Sequence, residues 1–182
     1  LTNGSHASFF GSESDGYRNR SYSANSALYW ADDGHLGLSI RQTHGSADGD
    51  PQDFAFPATP TQGWVIDGDE NNATRQRLVA LRGQARTGNW LHEVMLSQNA
   101  SRSRVRTNGE EISGLRGELN KAQWTASREF TGNLFSHSLA MGMQYEQRKF
   151  RNFSASFAGA NHRARDQQRS QFVEYLLRAE QR

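Results

Sequence analysis

Six carboxylates crowd one polar stretch of this chain: Asp48, Asp50, Asp53, Asp67, Asp69 and Glu70. Hard oxygen ligands at such close spacing are the chemistry of a calcium site. The run Asp48-Gly49-Asp50-Pro51-Gln52-Asp53 supplies the tightest set, Asp48, Asp50 and Asp53. It departs from the EF-hand pattern, which needs Gly at loop position six and Glu at position twelve. A solvated acidic loop has the same composition. Calcium is therefore the one cofactor the sequence raises, and geometry must test it.

The same stretch carries Phe54, Phe56 and Trp64, with Pro57 among them. These residues are too apolar for a mere tether. Two uses are open, contact with a ligand or packing within the loop and over what lies beneath it. Arg102, Arg104 and Arg106 cluster near the outer end of a strand. Guanidinium forks grip phosphates and carboxylates by paired hydrogen bonds; solvated charge is the plain alternative.

Nothing supports catalysis, so the expectation is that the protein is not an enzyme. His6, His35, His44, His92, His137 and His162 are scattered, and none pairs at metal-ligand spacing. Gly-x-Ser-x-Gly, P-loop and dinucleotide glycine patterns are absent. Glu110 and Glu111 are adjacent and read as loop residues, so they make no facing acid/base pair. Ser39 and His44 do not make a convincing hydrolytic pair.

The elements that hold these groups alternate in polarity with period two. Segments of about 9–16 residues fall near 6–14, 21–30, 35–44, 74–86, 90–99, 115–130, 136–150 and 169–179. The third is the clearest: Leu36, Leu38 and Ile40 share one face, while Gly37, Ser39, Arg41 and Thr43 share the other. The same alternation places Val79, Leu81, Val94 and Leu96 on an apolar face. It does so again for Leu139, Met141, Met143 and Tyr145, and for Val173, Tyr175 and Leu177. Ordinary soluble strands are shorter, near five or six residues. The last segment also fits a helical period over 168–182, and strand is the preferred reading.

Connections alternate between short and long. Ala31-Asp32-Asp33-Gly34, Thr87-Gly88-Asn89 and Thr131-Gly132-Asn133 are short. Polar stretches near 45–73, 101–114 and 151–168 are long, and Ser14-Asp15-Gly16-Tyr17 marks a further loop. A transmembrane β-barrel keeps its short turns on one side and its long loops on the other. Trp30, Trp90, Phe130, Phe135 and Phe150 fall near segment ends, where rings of a membrane barrel form girdles. Core packing beside a turn would look alike.

Composition agrees with a wall wet on one side and greasy on the other. The chain has 182 residues, 35% hydrophobic and 10% aromatic, with three Pro and no Cys, and a mean hydropathy of −0.85. Disordered chains are poorer in aromatics. Net charge is +2, and all but two of the 21 basic residues are Arg, spread along the chain. No nucleic-acid partner is implied. No apolar run is long enough for a transmembrane helix.

Several runs resemble the barrel of TonB-dependent outer-membrane receptors, closest to the vitamin B12 and siderophore branch. They are Ser14-Asp15-Gly16-Tyr17-Arg18, the Asp-Asp-Gly turn, and the strand from Leu36 to His44. Gly88-Asn89-Trp90-Leu91-His92 and the segment from His137 to Glu146 are similar too. The resemblance covers nearly the whole chain and lies in texture, without a diagnostic signature. It implies a 22-stranded barrel in the bacterial outer membrane, plugged by an N-terminal domain and driven through a short box that contacts the TonB complex. Plug, box and an aromatic-ended closing strand are not found in 1–182, so the chain reads as a single internal piece of such a barrel.

The expected fold is all-β: an antiparallel up-and-down meander of about eight strands, part of a transmembrane β-barrel. The expected partners are outer-membrane lipid, lipopolysaccharide at the Arg cluster, an imported small molecule, and the TonB complex through the missing region. Some B12 receptors use loop calcium, which favours the Asp48, Asp50 and Asp53 set. The alternative is a complete small eight-stranded barrel with a structural or adhesive role.

Overall fold

The computed structural model describes residues 2–7, 14–31, 33–132 and 135–179. They form one antiparallel sheet of eight strands in sequence order. The strands are β1 (Thr2–Ala7), β2 (Ser14–Trp30), β3 (Gly34–Gly49), β4 (Glu70–Thr87), β5 (Trp90–Thr107), β6 (Glu110–Thr131), β7 (Phe135–Ser154) and β8 (Arg163–Ala179). Each pairs with the next, so the sheet is an up-and-down meander as expected. β1 and β8 are its two edges, and the sheet is not closed on itself. A single 3-10 turn, Ala158–Ala160, is the only helical piece among the described residues.

The strands outrun the sequence expectation. From β2 to β8 they are 16 to 22 residues long. The extra length lies at the end away from the short turns, where polar composition hid it. Ser14 to Tyr17, read as loop, opens β2. The stretch 101–114, also read as loop, is the end of β5 and the start of β6 around a tight turn. That turn is Asn108-Gly109, with φ of 51° and 81°. Both values lie in the left-handed region that Asn and Gly tolerate, the geometry of a two-residue hairpin. Glu110 and Glu111 therefore begin a strand. The segment expected at 6–14 is β1 at Thr2–Ala7, and Phe9 and Phe10 lie outside the described residues. The helical reading of the last segment is replaced by β8.

The contrast of short and long connections survives in part. Residues 31–33, 88–89 and 132–134 link strands at one end. At the other end, 50–69 and 155–162 are long while 108–109 is short.

There is almost no interior. Ala126 is the one buried apolar residue among those described, and no described large side chain is fully buried. A sheet normally hides its apolar face against a second layer. Here the large apolar side chains stay exposed, among them Leu28, Leu36, Leu38, Ile40, Val94 and Leu96.

Candidate functional site

Directly paired residues in an antiparallel sheet share a face. One row runs Leu28–Leu36–Gly83–Val94–Trp124–Met143 across six strands. It belongs to a face that also carries Leu38, Ile40, Val79, Leu81, Leu96, Leu139, Met141, Tyr145, Val173, Tyr175 and Leu177. All fourteen apolar-face positions expected from the alternation thus fall together, drawn from β3, β4, β5, β7 and β8. This is the apolar face.

Its aromatic rim is inclined to the strands. Measured from the Leu28 row, Trp30 lies two residues further toward the short turns, Trp90 four, Phe130 six and Phe135 eight. The rim thus slides six residues between β2 and β7, about 20 Å at the usual rise, over five strand spacings of about 4.8 Å. The slope is about 40°. The upper edge slides the same way: Ile40 lies four residues above the row, Tyr145 two above, and Val173 two below its level. Phe150 does not belong to this rim. Paired with Gly117 and Ala164, it sits on the other face, at the far end of β7.

Several polar side chains that enter the apolar band lie against its rings. The rings of His92 and Trp124 stack with centroids 6.0 Å apart. His137 is hydrogen-bonded to the Tyr175 hydroxyl. The Arg128 guanidinium lies 4.4 Å from the centre of the Phe130 ring at the rim.

The opposite face is predominantly polar. Thr125 donates to Glu93 at 3.2 Å, and Arg86 meets Asp33 at 3.0 Å. Glu146, 9% exposed, is paired with Arg148. Ser39 lies on this face and His44 on the apolar one, so the two cannot act as a pair.

Above the apolar band the same face becomes polar and then basic. Arg77 donates to Gln98 at 2.7 Å, Gln98 to Asn120 at 3.1 Å, and Asn120 to Glu118 at 3.0 Å. Beyond this ladder stands a row in direct register: Arg20–His44–Arg75–Arg102–Arg116–Arg151–Arg163, one residue from every strand from β2 to β8. Of the sequence-derived cluster, Arg102 is in the row and Arg104 is one position beyond it on the same face. Arg106 is paired with Asn71 and Glu111 next to a bulge.

Compared with known proteins, the chain matches no family model, no curated relative and no solved structure.

The loop 50–69 is organised around Asp53. Its amide donates to the Trp64 carbonyl at 2.8 Å, and its own carbonyl accepts from the Gly63 amide at 2.8 Å. Its carboxylate accepts from the Thr59 hydroxyl, from the Thr61 hydroxyl at 2.8 Å and from the Ala55 amide at 2.9 Å. These donors, Thr59 first, hold the Asp53 carboxyl below the ordinary aspartate value. Asp48 is placed in β3, opposite Asn71, whose amide donates to it. Asp48, Asp50 and Asp53 do not converge, and no three acidic or His side chains group as metal ligands among the described residues.

Phe54, Phe56 and Trp64 are 75%, 95% and 64% exposed. The loop does not bury them; it presents them at the end where the basic row lies.

Sequence reasoning missed Arg20, His44, Arg75, Arg116, Arg151 and Arg163 as one feature. They are far apart in sequence and become neighbours only through register.

Proposed function

We propose that this chain is a stretch of wall from a bacterial outer-membrane β-barrel. The observation that carries this reading is the inclined apolar band. Strands of membrane barrels tilt about 35–45°, and a level boundary crossing strands tilted by about 40° gives a rim with this slope. Along β7 the band runs from Phe135 to Tyr145, about 33 Å of strand and about 25 Å after projection, the height of the apolar belt in such barrels. The polar face then looks into an aqueous lumen. Lipid covers what no second layer of the sheet covers.

The open edges β1 and β8 favour a section of a larger barrel over a self-closed one of eight strands. The parent is a receptor of the TonB-dependent type, importing a scarce ligand such as a siderophore–iron complex or cobalamin. That finer reading rests on the sequence resemblance, together with exposed aromatics on the long loop. The chain provides wall and outer loops; transport needs the rest of the receptor.

The 182 residues contain no Cys, so each replacement adds one thiol to this stretch at a chosen position. Single Cys replacements at Leu38 and Leu81 on one face, and at Ser39 and Ala80 on the other, are made in the full-length protein in intact outer membranes. A small hydrophilic maleimide reagent should label the second pair and spare the first. Equal labelling of both pairs removes the membrane reading. Ligand uptake that persists without TonB removes the receptor reading alone.

A further inference from the structure

We infer that the basic row is a binding track for the phosphate groups of a phosphorylated glycolipid in the outer leaflet. This rests on the membrane reading above and names a ligand for its outer rim.

Like charges directly opposite each other on neighbouring strands oppose pairing. Here six arginines and a histidine stand opposite one another through six consecutive strand pairs, and all six arginines are exposed. The protein supplies little compensation. Arg102 lies 4.0 Å from Glu111, which also serves Arg104 at 3.9 Å. No other arginine of the row forms an ion pair among the described residues. Flanking positions on the same face add Arg18, Arg77, Arg104, Lys149 and Arg165, against the carboxylates Glu111, Glu118 and Asp48. Such a surface is complementary to an array of anions. Guanidinium is the side chain suited to phosphate, since its fork can donate two hydrogen bonds at once.

Position selects the kind of anion. The row shares the face of the apolar band and lies on its far side from the short turns. Arg20 is two residues beyond Tyr22, whereas Arg75 is four beyond Val79 and Arg151 six beyond Tyr145. Because the row is perpendicular to tilted strands, it climbs from about 5 Å to roughly 15 Å above the band between β2 and β7. A glycerophospholipid presents phosphate at one depth. A phosphorylated glycolipid presents it on its lipid-linked sugars and again on the sugars beyond. A climbing track fits the second. Arg18, Arg20, His44, Arg75, Arg102 and Arg104 line one shallow recess on it, the strongest candidate seat for a single headgroup.

The test uses the full-length protein in zwitterionic detergent, stripped of endogenous lipid. Probes are lipopolysaccharide, the same glycolipid after dephosphorylation, inorganic phosphate and a soluble polyanion. Bound glycolipid is read by native mass spectrometry and thermal protection. Wild type should bind lipopolysaccharide at least tenfold more tightly than the dephosphorylated form. The triple variant Arg75→Gln/Arg102→Gln/Arg116→Gln should lose that preference, and Arg41→Gln/Arg82→Gln on the opposite face should keep it. Equal binding of the two glycolipids by wild type overturns the inference whether or not the triple variant folds. So does equal protection by inorganic phosphate or by the polyanion. Quenching of Trp fluorescence by brominated lipid, measured alongside, separates the two readings. Quenched Trp30 and Trp90 without phosphate preference sink this inference alone; unquenched rings sink the membrane reading as well.

Discussion

Phe172 lies across Gly142, its directly paired neighbour on β7. A Cβ added at Gly142 would stand 2.5 Å from the Phe172 Cε1 and 2.9 Å from the Trp124 carbonyl oxygen. The ring can swing away, but the backbone oxygen cannot. Gly142→Ala should therefore destabilise the sheet by about 1–3 kcal/mol, the usual cost of overpacking. Double replacement with Phe172→Ala should recover only the part due to the ring. Urea unfolding of the full-length protein in bilayers measures both. Full recovery in the double variant would show that the carbonyl contact does not matter.

Leu81 and Ala80 are adjacent on β4 and face opposite sides. Leu81 pairs with Leu38 and Leu96 inside the apolar band, whereas Ala80 pairs with Ser39 and Ser97. An Arg on the lipid side near mid-membrane costs about 2–4 kcal/mol, while lumen positions tolerate charge. Leu81→Arg should sharply lower the yield of folded protein in bilayers, and Ala80→Arg should cost less than about 1 kcal/mol. The reverse order would assign the two faces the other way round.

Register explains why the apolar face was legible in the sequence and the basic row was not. Alternation within a strand needs no partner, so Leu36, Leu38 and Ile40 announced their face by themselves. The row needs every pairing at once. Its hardest step is at β5 and β6, joined by the Asn108-Gly109 hairpin. That dipeptide is a strong turn signal, yet the polar residues around it read as loop. Even with the turn recognised, regular pairing from Thr107 and Glu110 would set Arg102 opposite Leu115. A bulge between Val105 and Arg106 shifts the register by one and sets it opposite Arg116. One extra residue exchanges the faces of all that follows. Asp53 was hidden for another reason. Its spacing to Asp48 and Asp50 suggested a cation, while the donors that occupy it, Thr59 and Thr61, follow it in sequence and meet it only through the fold of the loop.

That arrangement makes the loop sensitive to acid. Asp53 is 7% exposed, and its carboxyl is held below the ordinary 3.8, chiefly by the Thr59 hydroxyl, then by the Ala55 amide and the Thr61 hydroxyl. A carboxyl whose folded value is depressed stabilises the folded loop fully above its ordinary value. That contribution is lost as pH falls below 3.8 and through the lower folded value. Amide exchange at Ala55 and Gly63 should therefore accelerate several-fold relative to the strands in this acid range, and be flat from pH 5 to 8. Asp53→Asn should show fast exchange at every pH. A pH-independent wild type would mean that the hydroxyls, and not the charge, hold the loop.

Phe54, Phe56 and Trp64 bring the loop to the ligand question. Exposed apolar rings contribute little to folding, and substitutions at such positions usually change stability by less than about 0.5 kcal/mol. Three rings held in the open on one loop suit capture of a partly apolar ligand, since aromatic side chains dominate binding hot spots. Phe54→Ala/Phe56→Ala/Trp64→Ala should leave the unfolding midpoint of the full-length protein unchanged. Ligand binding to whole cells should fall about tenfold, the effect of losing roughly 1.4 kcal/mol. Unchanged binding with unchanged stability would take these rings out of the proposed ligand-binding surface. Lost stability would show instead that they pack against other parts of the folded protein.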